Sequence, residues 1–258
     1  MAEKRKETAV VVSQEKIASD VYSMWLQTEE IAKLAKPGQF ISLYCRDGSR
    51  LLPRPISLCE IDREKGQVRI VYRTVGKGTK EFSGYVPGTE IEILGPLGNG
   101  FPIEKVQGKR VLLMGGGIGI PPMVETAKAL KGSAMVTAGY RDELFLQEEL
   151  SRVSELYIAT EDGSAGTKGN VLHAVEAHQL RPDAIFACGP IPMLRAIKNY
   201  ALEHEIPCWI SMEEKMACGI GACLGCVCKS KEVDAHTHVH NKRTCVDGPV
   251  FDCTEVEL

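Results

Sequence analysis

The chain has 258 residues and a mass of 28.2 kDa, enough for one large or two ordinary domains with a sizeable core. A hydrophobic content of 44% and a charged content of 25% are globular values and exclude disordered and fibrous classes. The formal net charge of −3 argues against a nucleic-acid protein, and no apolar run approaches the roughly 18 residues of a membrane span. The charged start MAEKRKETAV has no apolar stretch behind it of the kind a signal peptide needs, so a cytoplasmic protein is expected.

The N-terminal third reads as strands. TAVVVSQEKI, VYSMWLQT, QFISLYC, RPISLCEI, QVRIVYRTV and TEIEIL are short, rich in β-branched residues and bounded by turn formers. Six such strands predict a small antiparallel barrel, interrupted by a helix over Thr79–Tyr85. From about residue 101 the pattern becomes an alternation of strands and helices. KRVLLMGGG, SAMVTAGY, ELYIATED, AIFACGP and PCWISM are the strands. IPPMVETAKALKG, DELFLQEELSRV, VLHAVEAHQ and IPMLRAIKNYALEHE are the helices. That alternation predicts a doubly wound parallel sheet with helices on both faces. The expected division is a β-barrel over 1–101, an α/β domain over 102–210 and a short cysteine-rich segment over 211–258.

Charge and cysteine content set the last segment apart. Residues 210–258 hold five Lys/Arg against eight Asp/Glu, the whole of the net charge. Of the ten cysteines, only Cys45, Cys59 and Cys188 precede residue 208, whereas seven occupy the last 51 positions. In a reducing compartment, such clustering points to a metal or cluster site rather than to disulfides. Cys218, Cys223 and Cys226 follow C-x4-C-x2-C, with Cys245 further on. This is the plant-type [2Fe–2S] spacing. A structural zinc site usually pairs two tight knuckles, and only one is present. Cys228 would crowd the iron held by Cys226, and Cys253 also competes, but the turn-rich TCVDGPVFD favours Cys245 as the fourth ligand. His236, His238 and His240 alternate and are read as a solvated hairpin between the third and fourth ligands.

Two further constellations point to nucleotides. Arg54-Pro55-Ile56-Ser57 is followed by Val71-Tyr72-Arg73 and then by Gly76-Lys77-Gly78-Thr79. A strand-end arginine can neutralise a diphosphate, a serine can bond a ring nitrogen, and a glycine turn entering a helix offers N–H groups to phosphate. Gly115, Gly116, Gly117 and Gly119 directly follow a predicted strand, where a doubly wound sheet binds a nucleotide. The strict G-x-G-x-x-G pattern fails at Ile120, and no acidic residue ends the next strand unless Asp142 serves. Cys188-Gly189-Pro190, at the end of a later strand, points to the same edge.

A barrel carrying RPxS, then a sheet carrying GGGxGxxP and CGPxPM, resembles the ferredoxin-NADP reductase family over essentially the full chain. MACGIGACLGCVC…CVDGPVF, with GPLGNGF at 95–101, resembles one branch of it, the electron-transfer subunits of class 1B, NAD-linked dihydroorotate dehydrogenase. The resemblance implies that Arg54, Pro55, Ile56, Ser57, Val71, Tyr72, Arg73, Gly78 and Thr79 bind FAD. It implies that Cys218, Cys223, Cys226 and Cys245 hold a [2Fe–2S] cluster. It places NAD at Gly115, Gly117, Gly119, Cys188, Gly189 and Pro190. The partner implied is an FMN-containing catalytic subunit, in a heterotetramer with two copies of each chain. One departure is Ile56, which stands where many members of the wider family have a tyrosine against the flavin. The alternatives are a flavin and iron–sulfur reductase subunit of a transhydrogenase or a hydrogenase diaphorase, and, from another class, a zinc-binding adaptor.

Overall fold

The structure, a computed structural model, describes residues 3–235 and 238–258. Six antiparallel strands close a barrel: β1 (Arg5–Ala18), β2 (Val21–Gln27), β3 (Phe40–Leu43), β4 (Arg54–Asp62), β5 (Gln67–Arg73) and β6 (Glu90–Leu97). Their spatial order is β1-β2-β5-β4-β3-β6, with β6 returning to pair with β1. Alternation along each strand sorts the side chains. Val68, Ile70 and Tyr72 of β5 point into the barrel core, while Val71 points outward. Two short helices, α1 (Glu29–Leu34) and α2 (Lys77–Phe82), lie in the connections β2–β3 and β5–β6. The first is absent from the sequence reading. It has only six residues and no side-chain hydrogen bond at its Thr28 cap.

The second half is a parallel sheet built from β7 (Val111–Gly116), β8 (Ala134–Tyr140), β9 (Glu155–Thr160), β10 (Thr167–Lys168), β11 (Ala184–Cys188) and β12 (Cys208–Ser211). Helices α3 (Pro121–Ala129) and α4 (Gln147–Val153) cover one face, and α5 (Val171–Ala177) and α6 (Ile191–Glu203) the other. Along β7, Val111 and Leu113 face the first pair, and Leu112 and Met114 the second. Strands β8 and β9 lie on one side of β7, and β11 and β12 on the other. The winding therefore reverses between β7 and β11, and the crevice at their carboxyl ends is where such sheets take ligands.

The cysteine-rich segment adds three short strands: β13 (Val227–Lys229), β14 (Asn241–Arg243) and β15 (Val250–Asp252). The first two pair as a hairpin, and the third joins the edge of the parallel sheet, antiparallel to β12. The segment is thus stitched into the sheet rather than folded only around its cysteines. It is also tied to the barrel. Asn99, just after β6, donates its side-chain N–H groups to the carbonyls of Asp247 and Val250 at 3.1 and 2.7 Å. It also accepts from Val250 N–H at 3.2 Å, and its own N–H meets the Gly248 carbonyl at 2.7 Å. The barrel and the sheet share one core, in which Val21, Cys59 and Val71 of the barrel join Met123, Val124 and Ala127 of α3. No helix among the described residues is long and apolar enough to cross a membrane.

Candidate functional site

Cys218, Cys223 and Cys226 lie in the loop between β12 and β13, and Cys245 follows β14. Their sulfurs form two neighbouring pairs. Cys218 lies beside Cys223, and Cys226 beside Cys245, close enough for each thiol to shift its neighbour's pKa. The loop also turns backbone N–H groups toward sulfur. Ile220 and Cys223 donate to Cys218 Sγ at 3.5 and 3.4 Å, and Gly225 donates to Cys223 Sγ at 3.4 Å. Gly219 and Gly221, with φ of +68° and +86°, carry the chain around the sulfurs, a backbone path that side chains disfavour. Burial raises the Cys218 thiol, but the N–H groups of Ile220, Cys223 and Ala222 outweigh it and bring the pKa down to about 7. The Cys245 thiol beside Cys226 lowers its pKa to about 6, while the same pairing, with burial, pushes Cys245 up.

This donor set fits an iron–sulfur cluster. Thiolates are the ligating species, and N–H groups aimed at sulfur stabilise their charge. Among the described residues, no three His, Cys, Asp or Glu side chains gather around a single point as one ion requires. Two adjacent thiol pairs suit four thiolates shared by two irons better than the single tetrahedral centre of a zinc site.

Cys226 and Cys245 rest on Phe40 and Leu97 of the barrel. Cys228 and Cys253 are turned away into the core on the α5–α6 face. There Cys228 Sγ donates to the Lys242 carbonyl at 3.5 Å, and Cys253 pairs with Cys208. Cys223 is exposed, and around it Ile220, Leu224 and Val227 are open to solvent at 48%, 42% and 36%. His240 Nδ1 lies 2.9 Å from the Lys231 carbonyl in the β13–β14 connection, and His236 falls outside the described residues.

At the mouth of the barrel, Arg54 opens β4 with its guanidinium over the first turn of α2. A Cβ on Gly78 would stand 2.6 Å from Arg54 Nε. Arg54 also donates to the Leu52 carbonyl, and Arg50 reaches the Lys77 carbonyl at 3.1 Å and Glu81 at 2.6 Å. The loop before β4 is thereby held against α2. Leu51 and Val75, each more than 80% exposed, flank this cradle. A cation over a glycine turn with open apolar side chains beside it fits a dinucleotide, whose diphosphate needs charge and whose rings need apolar contact.

Not every expected side chain is free to serve. The Thr79 hydroxyl accepts from Val75 and Gly76 N–H at 3.0 and 3.2 Å, so it caps its own helix. Tyr72 lies inside the barrel, donating to Gln14 Oε1 at 2.7 Å and stacked on Tyr22 with ring centroids 6.0 Å apart. Val71 is in the inter-domain core, and Arg73 pairs with Asp20 at 3.3 Å. Pro55, Ile56 and Ser57 are half-buried. At Val71 and Tyr72, only the backbone is available to a ligand.

The two glycine-bearing turns at the sheet edge are in direct contact, because β7 and β11 are neighbours. A Cβ on Gly119 would lie 2.2 Å from the Cys188 carbonyl oxygen, so no other residue fits there. Gly116 and Gly189 both pack on Met193 of α6. Burial pushes the Cys188 thiol up to about 12. Arg141 and Asp142, exposed after β8, pair at 3.7 Å.

Comparison with known proteins agrees with this geometry. Residues 8–101 match the oxidoreductase FAD-binding domain family, and residues 213–257 match the iron–sulfur cluster binding domain of dihydroorotate dehydrogenase B. The dihydroorotate dehydrogenase B (NAD(+)) electron transfer subunit of Bacillus cereus (strain G9842) is 40% identical over 261 aligned positions, covering 98% of this chain and 99% of that one. The Bacillus anthracis (strain CDC 684 / NRRL 3495) subunit is equally similar. Among solved structures, an NADH-dependent reduced ferredoxin-NADP oxidoreductase is 31% identical with a TM-score of 0.86, over 97% of this chain and 90% of that one. A Neisseria gonorrhoeae ferredoxin NADP+ reductase shares the fold at 17% identity and a TM-score of 0.64, over 77% and 91% of the two chains. The near-complete coverage, the two family matches and the paired cysteines agree, and the chain belongs to the family of dihydroorotate dehydrogenase B electron transfer subunits.

Proposed function

We infer that this chain takes electrons from the FMN of a separate dihydroorotate-oxidising subunit and delivers them to NAD+, in pyrimidine biosynthesis. The observation that carries this reading is the seating of the four-cysteine loop directly on the flavin-type barrel, with Cys226 and Cys245 against Phe40 and Leu97. When bound, a [2Fe–2S] cluster supplies one-electron transfer, FAD collects two electrons, and NAD+ accepts a hydride. Cys218, Cys223, Cys226 and Cys245 hold the cluster, and the N–H groups of Ile220, Cys223 and Gly225 stabilise their sulfurs. Arg54 neutralises the FAD diphosphate over Gly78, and Ser57 with the backbone of Val71–Arg73 lines the ring. Ile56, the cross-strand partner of Ile41, packs on the barrel core instead and is left out of the ring contact. Gly115, Gly117 and Gly119, with Cys188, Gly189 and Pro190, shape the nicotinamide nucleotide site.

The exposed apolar collar of Ile220, Leu224 and Val227 around Cys223 is the docking face for the catalytic subunit. Residues 1–101, 102–210 and 211–258 serve FAD, NAD and the cluster respectively. Two copies of each subunit assemble as a heterotetramer in the cytoplasm. The relative named as a dihydroorotate dehydrogenase B subunit, at 40% identity, supports this reading over that of a reduced ferredoxin-NADP oxidoreductase, the name of the structure at 31% identity. Co-expression with a dihydroorotate dehydrogenase catalytic subunit is expected to yield a complex that reduces NAD+ with dihydroorotate. A complex that fails to form, or NAD+ reduction only with reduced ferredoxin, would overturn it.

A further inference from the structure

Ser42 of β3 is fully buried, and its hydroxyl has no hydrogen-bond partner among the described residues. Burying an unpartnered hydroxyl is unfavourable, so such a group calls for an explanation. Its position offers one. Along β3, Ile41 and Leu43 point into the barrel core, whereas Phe40 and Ser42 point the other way, toward the cysteine-rich segment. Phe40, Leu94 and Leu97 make that outer floor apolar. Ser42 supplies a hydroxyl in it, directly beneath the cysteine loop. A Cβ placed on Gly219, the residue after Cys218, would meet Leu97 Cδ1 at 3.1 Å and Ser42 Oγ at 3.4 Å. On the barrel side, Ser42 is the cross-strand neighbour of Pro55 in the RPIS strand. The hydroxyl therefore sits at the junction of the flavin strand and the cluster loop.

We propose that Ser42 is a positioning residue for the cluster, donating its O–H to an anionic sulfur at the Cys218 end. The proposal rests on the reading of the four cysteines as cluster ligands. The loop supplies N–H donors from above, and the Ser42 hydroxyl adds one from the barrel floor. A hydrogen bond to a cluster sulfur stabilises the more negative, reduced state and so raises the reduction potential. Thr244, a second buried hydroxyl without a hydrogen-bond partner among the described residues, lies within the segment beside Cys228 rather than on the barrel floor.

The test is a redox titration of the purified full chain, followed by electron paramagnetic resonance, with iron, sulfide and flavin content measured in parallel. Ser42→Ala is expected to retain its iron and its flavin. At a fixed poise near the midpoint, its ratio of reduced to oxidised cluster should fall about tenfold, or about 59 mV for a one-electron couple. Ser42→Cys, which keeps a weak donor of similar size, should lie between the two. A Ser42→Ala cluster with the wild-type potential overturns the proposal. Should Ser42→Ala lose its iron, an unchanged potential in Ser42→Cys overturns it equally. A wild-type chain that binds no iron would overturn the cluster reading, and this inference with it.

Discussion

A cysteine becomes a ligand through where its backbone places the sulfur, and two residues of spacing are enough to change that. Cys226 and Cys228 stand on either side of Val227, yet Cys226 faces the barrel and Cys228 the α5–α6 core. Cys245 lies beside Cys226, whereas Cys253 lies beside Cys208. Cys245→Ser is therefore expected to lose iron and sulfide and the visible cluster absorption. Cys228→Ser and Cys253→Ser should keep both. A Cys245→Ser protein with full iron and sulfide content would contradict the assignment. Arg54 invites a second residue-scale test. Its guanidinium rests on Gly78, where a phosphate contact would be charge-assisted. Arg54→Ala should weaken FAD binding by about 1.5–3 kcal/mol, the scale of a hydrogen bond to a charged group. Release of free flavin on gel filtration measures it, and retention equal to wild type would move the diphosphate site elsewhere.

Element by element, what the sequence disclosed was whatever is encoded locally. The six barrel strands carry β-branched alternation between turn formers, and the strand–helix alternation after residue 101 is equally local, so both were legible. Helix α1 was not, because EEIAKL is one and a half turns with an unbonded cap. Strands β13, β14 and β15 have three residues each, too few for any period to register, and β15 owes its existence to a partner strand about forty positions earlier. The inward direction of Tyr72 was available from strand parity with Val68 and Ile70. Ser42 gave no signal, since a single serine in a strand matters only through what the fold lays over it. Asn99 is the same case. It sits in GPLGNGF as an ordinary turn residue, and its partners lie about 150 positions away. Its side chain makes three hydrogen bonds to the turn that enters β15. Asn99→Ala should destabilise the protein by about 0.5–1.5 kcal/mol, the net scale of ordinary hydrogen bonds, because the groups it leaves unpaired are exposed or only part-buried. It should also speed amide exchange in β15 while the barrel strands keep their protection. Uniform exchange in both would mean that Asn99 does not fasten the segment.

Across the whole molecule, the barrel and the sheet must keep a fixed relation if the cofactor sites on each are to work together, and charge does part of that. Arg69 of β5, only 6% exposed, donates to Glu60 of β4 at 2.6 Å and to Glu149 of α4 at 3.0 Å. Lys128 of α3 closes the network on Glu60. Burial alone would raise the Glu60 carboxyl, but Lys128 and Arg69 overcome it and hold the group below its ordinary value of 4.5. A carboxylate with a depressed folded pKa contributes stability above its unfolded pKa and loses that contribution as pH falls through the folded value. The interface should therefore weaken as pH drops below about 4.5. Glu125 of α3 acts in the opposite sense. Burial raises its pKa although it accepts the Ile61 N–H at 3.0 Å, so acidification relieves rather than removes its effect. Glu60→Gln isolates the first arm. At pH 7 it should cost about 1–3 kcal/mol, or roughly 2–4 °C of melting temperature per kcal/mol for a chain of this size. As pH falls from 4.5 through the lower folded value, its melting temperature should converge on that of the wild type, because acid progressively removes from the wild type what the substitution removes. Melting curves that stay parallel down to pH 3 would show that Glu60 is not the group through which acid loosens the two halves.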